Sequence, residues 1–321
     1  MTCKVAGLTP VWNEESCVVF VLASLLPFVD FYVLADSGSD DQTLPLVRHF
    51  FDKEIKSGKL HILEYGRLED FDISKPKNAA IDIIREAGCE QLVRLDGDDV
   101  FYPQGARDTV EIARVLPKDV ARYTINHWEL YQYRAKTTLD FLNCIEEDIL
   151  KQSAGPVETE NPNFMCLRIP PGNNPHPSLR PKRYEGSYGH ARIYRVDGAV
   201  SKGAWTDEAQ GNPGEDIFNT HGGRTIGAGG YAEWIVHYGW ARPLDKKLSK
   251  TTVWVGEDKK EEDIRVNRIH EVWPFVKKYN MSNQEYGDHC WPHRIVFPFN
   301  KHPAAVQKYV HAVADFLKET Q

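Results

Sequence analysis

From the N-terminus to Pro103, short apolar runs alternate with segments patterned for helices, and this alternation restricts the fold more than any other property of the chain. Lys4–Val11, Phe31–Leu34, Leu60–Glu64 and Leu92–Leu95 read as strands of a covered sheet, because they offer little polar face. Between them, Cys17–Leu26 reads as a buried helix, and Leu44, Val47, Phe50 and Phe51 repeat at helical spacing after Thr43. Lys77–Ala87 follows as a helix carrying Ala79, Ala80, Ile83 and Ile84 inward, with Gly88 as its stop. Strands that alternate with helices predict an α/β fold: a doubly wound, mostly parallel sheet with helices on both faces. Such a sheet binds its ligands at the C-terminal ends of the strands.

Those ends carry the polar residues. The first strand runs into Trp12-Asn13-Glu14-Glu15, the second into Asp36-Ser37-Gly38-Ser39-Asp40-Asp41, and the fourth into Asp96-Gly97-Asp98-Asp99. Gly97 permits a sharp turn and close approach of a ligand. Three nearly adjacent carboxylates repel one another unless a cation or hydrogen-bond donors sit among them. A hard divalent ion carrying a diphosphate meets that need, since Mg2+ and Mn2+ take carboxylate and phosphate oxygens together. Neither G-x-G-x-x-G nor G-x-x-x-x-G-K-[ST] occurs, so the dinucleotide and P-loop classes have no support.

A chain of 321 residues with 41% hydrophobic and 26% charged residues has the balance of a globular protein with a full core. Its formal net charge of -7 argues against a general nucleic-acid binder. The six cysteines are scattered without a C-x-x-C pair and read as reduced thiols, which predicts neither a zinc site nor a disulfide framework. The most apolar stretch, Cys17–Val29, is broken by Ser24 and Pro27 and is too short to span a bilayer. The expectation is therefore a cytoplasmic protein without a transmembrane segment.

Beyond Leu116-Pro117 the pattern changes. Val120–Arg134 is rich in aromatic residues, and 154–189 is dense in Pro, Gly and Asn, which predicts a long loop carrying the basic residues Arg168, Arg180, Lys182 and Arg183. His190–Tyr194 and Glu233–Tyr238 read as further strands. The composition turns helical and charged from Glu257, and Pro303 opens a last helix with an apolar stripe of Val306, Val310, Val313 and Leu317. That stripe reads as packing or as a homo-oligomer surface. Three regions result: 1–117, 118–255 with the loop at 154–189, and 256–321 as a C-terminal helical extension.

Four of these motifs, in order, resemble the family 2 glycosyltransferases, whose fold is GT-A. Pro10-Val11-Trp12-Asn13-Glu14-Glu15 is similar to the family's P-x-Y-N-E-E, with Trp12 in place of tyrosine, and Asp36–Thr43 is similar to D-S-G-S-T-D-G-T. Lys77-Asn78-Ala79-Ala80 stands where the family has R-N-x-G, departing at two positions, and Asp96-Gly97-Asp98-Asp99 resembles its D-x-D-D metal motif. The likeness covers roughly residues 1–105 and returns in pieces between 190 and 250.

The resemblance implies a role for each matching residue. Trp12, next to Pro10, would stack on the base and Asp36 would accept from its edge. Glu14 would contact the nucleoside, and Lys77 would stand near base or diphosphate. Asp96 and Gly97 would meet the ribose, with Asp96, Asp98 and His237 as the metal site. His237, in His237-Tyr238-Gly239-Trp240, stands where some members have an H-Y-G-like segment. The catalytic base falls in one of two places. Glu208, preceded by Asp207 where a subgroup has histidine, is one; Asp216 of Gly214-Glu215-Asp216 is the other. The reading implied is a metal-dependent (Mn2+ or Mg2+) inverting glycosyltransferase, a hexosyl- or pentosyltransferase, that uses a nucleotide-sugar donor, UDP-sugar favoured. The acceptor hydroxyl stays open among a glycan, a lipid-linked sugar, a protein and a modified nucleic-acid base. The alternatives are a non-catalytic nucleotide- or carbohydrate-binding protein on the same fold, and a sugar nucleotidyltransferase. The latter would want a glycine-rich first loop that Trp12-Asn13-Glu14-Glu15 does not supply.

Overall fold

The computed structural model describes residues 4–68, 72–125, 127–131, 135–153, 165–168, 190–201, 217–227, 234–239, 241–243 and 302–320. They fall into two compact units. The first comprises described residues of Met1–His127, Pro181–Val236 and Pro303–Ala305, and the second those of Trp128–Arg180, His237–His302 and Val306–Gln321.

The first unit is built on a seven-stranded sheet in the order β12-β6-β9-β4-β1-β2-β3. Its strands are β1 (Val5–Val11), β2 (Phe31–Asp36), β3 (Leu60–Glu64), β4 (Gln91–Arg94), β6 (Val120–Ile125), β9 (His190–Arg195) and β12 (Arg224–Gly227). β4, β1, β2 and β3 are mutually parallel, as expected of strands connected by helices. β9 is the exception and runs antiparallel to both β4 and β6. The sheet is thus the mostly parallel one expected, with one reversed strand that the alternation pattern did not indicate.

Apolar faces decide how the helices sit. α4 (Ser74–Glu86) buries Ala80, Ile81 and Ile84 against Ala6 and Leu8 of β1, Val33 and Ala35 of β2, Leu92 of β4 and Tyr194 of β9. Ala79 and Ile83 are only half-buried. The helix begins at Ser74 rather than at Lys77, because Pro76 is accommodated in the first turn, where no intrahelical N–H bond is lost. It ends as Gly88 adopts φ +72°, a left-handed conformation that glycine takes without penalty. α1 (Val18–Leu25) buries seven of its eight residues, and α5 (Pro103–Arg114) packs on β1, β4 and β9. α2 (Thr43–Phe50) and α3 (Asp52–Lys56) divide the single helix expected after Thr43. Beside the sheet, β10 (Ala199–Ser201) and β11 (Ile217–Asn219) pair antiparallel. β13 (Ile235–His237) is the sheet neighbour of β5 (Asp99–Phe101), and the Tyr102 N–H donates to the carbonyl of Trp234, just before β13, at 2.9 Å.

In the second unit β7 (His127–Tyr131) pairs antiparallel with β8 (Met165–Arg168), from Trp128↔Arg168 to Tyr131↔Met165. β8 is a correction: it lies inside the span read as a loop over 154–189, and the rest of that span is outside the described residues. α6 (Thr138–Ser153) opens on a reciprocal cap, in which Asp140 accepts from the Thr137 N–H at 3.0 Å and its own N–H donates to Thr137 Oγ1 at 3.2 Å. Phe141, Leu142 and Ile145 of α6 are buried. α7 (Ala304–Thr320) buries Val306, Val310, Val313 and Leu317, so the stripe foreseen as packing or oligomer surface is covered within the chain itself. The charged region from Glu257 to residue 301 lies outside the described residues. Among the described residues no helix is long and apolar enough to cross a membrane.

Candidate functional site

Because β4, β1 and β2 are parallel neighbours, the residues that follow them emerge at one edge of the first unit's sheet. β1 keeps its partner on β4 only as far as Leu8↔Arg94, so Pro10 lies past the last ladder position on that side. Trp12 is half-buried at the strand end. Asn13 then takes φ 55°, a left-handed conformation that asparagine tolerates. Its N–H donates to Ser39 Oγ at 2.9 Å, its Nδ2 donates to Asp40 Oδ1 at 2.7 Å, and its Oδ1 accepts from the Asp40 N–H at 2.9 Å. The Glu14 N–H donates to Thr43 Oγ1 at 2.7 Å, and Glu15 Oε2 accepts from the Gln42 N–H at 3.0 Å. The first and second loops are therefore one hydrogen-bonded body.

Asp36 closes β2 and is buried; its carboxylate accepts from the N–H groups of Gly38 at 3.0 Å and Ser39 at 3.1 Å. It shapes the loop that carries it. Gly38 has φ +83°, and a Cβ there would stand 2.6 Å from the Arg67 backbone nitrogen, so both conformation and space require glycine.

The third loop is the acid turn. The Asp99 N–H donates to the Asp96 carbonyl at 3.1 Å, and Asp99 Oδ2 accepts from the Asp96 N–H at 3.1 Å. Gly97 does not adopt a positive φ, contrary to the expectation that it serves the turn. Its role is spatial: a Cβ would sit 2.6 Å from Glu14 Cγ, so the buried Glu14 side chain lies against the Gly97 backbone. Glu14 and Gly97 are thereby brought together, and the first loop is joined to the third.

Asp98 and Asp99 are buried, at 4% and 0% exposure. Such charges need partners. Arg94 and Arg192 supply two. Arg94 pairs with Asp96 Oδ1, while Arg192 Nη1 lies 3.0 Å from Asp96 Oδ2 and its Nη2 lies 2.6 Å from Asp99 Oδ2. Burial opposes the Arg192 charge, yet attraction from Asp99 and Asp96 outweighs it, and its pKa is raised above the ordinary arginine value. Within this cluster two carboxylates, Asp96 and Asp99, face two guanidiniums, with Arg192 bridging both acids. The reversed β9 makes this possible. Leu92↔Tyr194 and Val93↔Ile193 continue toward Arg94 beside Arg192, which puts an early residue of β9 at the C-terminal end of β4. A parallel strand would have placed it at the opposite edge.

Lys77 is buried in α4. Its neighbour Asn78 binds both backbone groups of Ser201: Nδ2 donates to the carbonyl at 3.0 Å, and Oδ1 accepts from the N–H at 2.7 Å. The segment from β10 to β11 begins there, and Asp207, Glu208 and Asp216, which fall on it, lie outside the described residues, as do Trp205 and Trp240. His237, half-buried, is the last residue of β13 after the buried Ile235 and Val236. The sequence reading assigned no role to Arg94 or Arg192. A charged residue inside Leu92-Val93-Arg94-Leu95 and another inside Ala191-Arg192-Ile193 were the available signals.

No protein-family model matches the chain, and no curated protein matches it. Among solved structures it is similar to TarS 1-349 of S. aureus in complex with UDP, at 14% identity over 89% of this chain and 77% of that one, with a TM-score of 0.39. It is also similar to glucosyl-3-phosphoglycerate synthase from Mycobacterium tuberculosis with Mn2+ and UDP-Glc, at 18% identity over 39% of this chain and 44% of that one, TM-score 0.29. The mannosyltransferase PcManGT from Pyrobaculum calidifontis, in complex with GDP-Man and Mn2+, matches at 19% identity over 51% of this chain and 50% of that one, TM-score 0.31.

Proposed function

We propose that this chain is a metal-dependent inverting glycosyltransferase that moves a sugar from a nucleotide diphosphate donor, UDP-sugar favoured, to an acceptor hydroxyl. The observation that carries the reading is the first unit's sheet edge, where three loops are tied into one body around a buried acid turn. Trp12 offers a half-buried aromatic face for the base, and the loop braced by Asp36 lines the same edge. Both Asp96 oxygens are engaged by guanidiniums, which fixes the turn.

Asp96, Asp98 and His237 are the residues proposed to hold the ion, with Asp99 next to Asp98 in the acid turn. Two carboxylates and one imidazole form a donor set suited to Mn2+ and acceptable to Mg2+. When bound, the ion neutralises charge on the departing diphosphate. Lys77 stands near the base or diphosphate, and Glu208 accepts the acceptor's proton, with Asp216 as the other candidate and Asp207 beside Glu208.

Calorimetry of UDP and UDP-sugars with Mn2+, and again with excess chelator, tests the donor half. Binding should require the metal and be lost in Asp98→Ala, with the far-UV spectrum unchanged. Equal affinity in chelator would sink the metal-dependent reading. For the base, Glu208→Gln should lower transfer by ~10²–10⁴-fold while donor affinity stays near wild type. Loss of transfer in Asp216→Asn instead would move the role there.

A further inference from the structure

The second unit holds a buried polar chain immediately beside His237 in sequence. Tyr238 is fully buried, its phenol oxygen 2.7 Å from His302 Nδ1. Its ring stacks on the imidazole at a centroid separation of 6.0 Å, and Phe141 of α6 meets it edge-on at 6.2 Å. His302 is also buried, and its Nε2 lies 3.3 Å from Asp148 Oδ2. The Asp148 contact at Nε2 is one of charge proximity without hydrogen-bond geometry, and the hydrogen bond of the chain is the one between Nδ1 and the Tyr238 hydroxyl. The Tyr238 carbonyl accepts from the N–H groups of Ala241 at 2.8 Å and Arg242 at 3.0 Å. Side chain and backbone of this one residue are thus both fixed.

We propose that Asp148, His302 and Tyr238 act as a positioning relay for His237, an inference that rests on His237 being a metal ligand. Successive residues of an extended segment point to opposite sides, so anchoring Tyr238 sets the backbone torsions from which the His237 imidazole projects. Asp148 belongs to α6, and His302 lies just before Pro303 and α7. The three residues of the relay all belong to the second unit. A buried phenol and imidazole are costly unless hydrogen-bonded, and an apolar pair would fill similar space; the polar pair adds a defined geometry.

Mn2+ affinity, read from the electron paramagnetic resonance of the free ion well below the melting temperature, tests the relay on the full chain. The variants are His237→Ala, Tyr238→Phe, Asp148→Asn and, as a control for destabilisation, Val313→Ala in the buried stripe of α7. His237→Ala should lose most Mn2+ binding. Tyr238→Phe and Asp148→Asn should weaken it by about 10-fold, the scale on which residues behind a ligand act. Val313→Ala should lower the melting temperature without changing Mn2+ affinity. Wild-type Mn2+ affinity in Tyr238→Phe and Asp148→Asn, with binding lost in His237→Ala, would overturn the relay and leave the metal reading standing. An unchanged His237→Ala would remove the metal reading and the relay with it. An equal loss in Val313→Ala would reduce the effect to general destabilisation and overturn the relay. Should Tyr238→Phe fail to fold, Asp148→Asn decides alone.

Discussion

Arg192→Met tests whether one guanidinium holds the acid turn together. The side chain is 1% exposed and spans two carboxylates, Asp96 at 31% exposure and Asp99 at 0%. Methionine keeps most of the length and removes the charge. Taking away one partner of a buried ion pair costs ~3–5 kcal/mol. Asp96 retains Arg94 and partial access to water, so its share is discounted, and the loss of the guanidinium falls mainly on Asp99. That places the expected destabilisation at ~3 kcal/mol, the lower end of the range. Arg192→Lys should lose roughly half as much, because one ammonium cannot bridge both carboxylates as a planar fork does. Urea unfolding at pH 7 measures both. A variant within ~1 kcal/mol of wild type at pH 7, below the range for breaking a buried pair, would refute the assignment of Arg192 as the clamp of the turn.

Three further outcomes are expected. Gly97→Ala must displace the Glu14 side chain, which its Cβ would meet at 2.6 Å, and should cost ~1–3 kcal/mol in urea and weaken donor binding; an unchanged protein would separate the first and third loops. Gly7→Ala brings a Cβ to 2.3 Å from the buried Tyr32 ring and should destabilise by at least ~1–3 kcal/mol, with wild-type stability in thermal unfolding as the contrary result. Burial raises the pKa of Asp30, but the Arg114 hydrogen bond, the Val5 N–H and nearby positive charge outweigh it, and the net shift is downward. Its contribution is therefore present above the unfolded value and is lost as pH falls through the lower folded one. Asp30→Asn should be less stable than wild type at pH 7, with the gap starting to close near the ordinary value of ~3.9 and vanishing only below the lowered folded one; a constant gap in acid-titrated urea unfolding would count against the pairing.

What was legible in the sequence was whatever a single element reports about itself. β3 matches the expected Leu60–Glu64 at both ends, and α4 was found from its own spacing, misplaced only at its start because Pro76 reads as a boundary when the first turn accepts it. Loop positions at strand ends followed from the alternation. Gly97 was singled out for a turn it does not make with a positive φ, and the close contact it does make was not visible: the neighbour it admits, Glu14, lies in another loop. Arg192 fell within the expected strand His190–Tyr194 and was given no task, because its meaning depends on the direction of β9, which no local pattern encodes. The apolar stripe of α7 was equally plain in the sequence, whereas the surface covering it was not. For the candidate site, the acid turn and the two loops beside it were readable, and the counter-charges that make the turn tenable were not.

The separation between those counter-charges and the acids has a consequence for how the chain folds. Arg192 and Asp96 are 96 residues apart in sequence, so their pairing is a contact of high order that forms only after a long loop has closed. During synthesis the helices and parallel strands of the N-terminal part can assemble from local contacts, yet the turn at their edge then holds its acids with Arg94 as the nearer cation and its clamp still to be made. Docking of β9 is the event that relieves this repulsion. A truncated chain ending before β9 should consequently lack this clamp at the edge where the three loops meet.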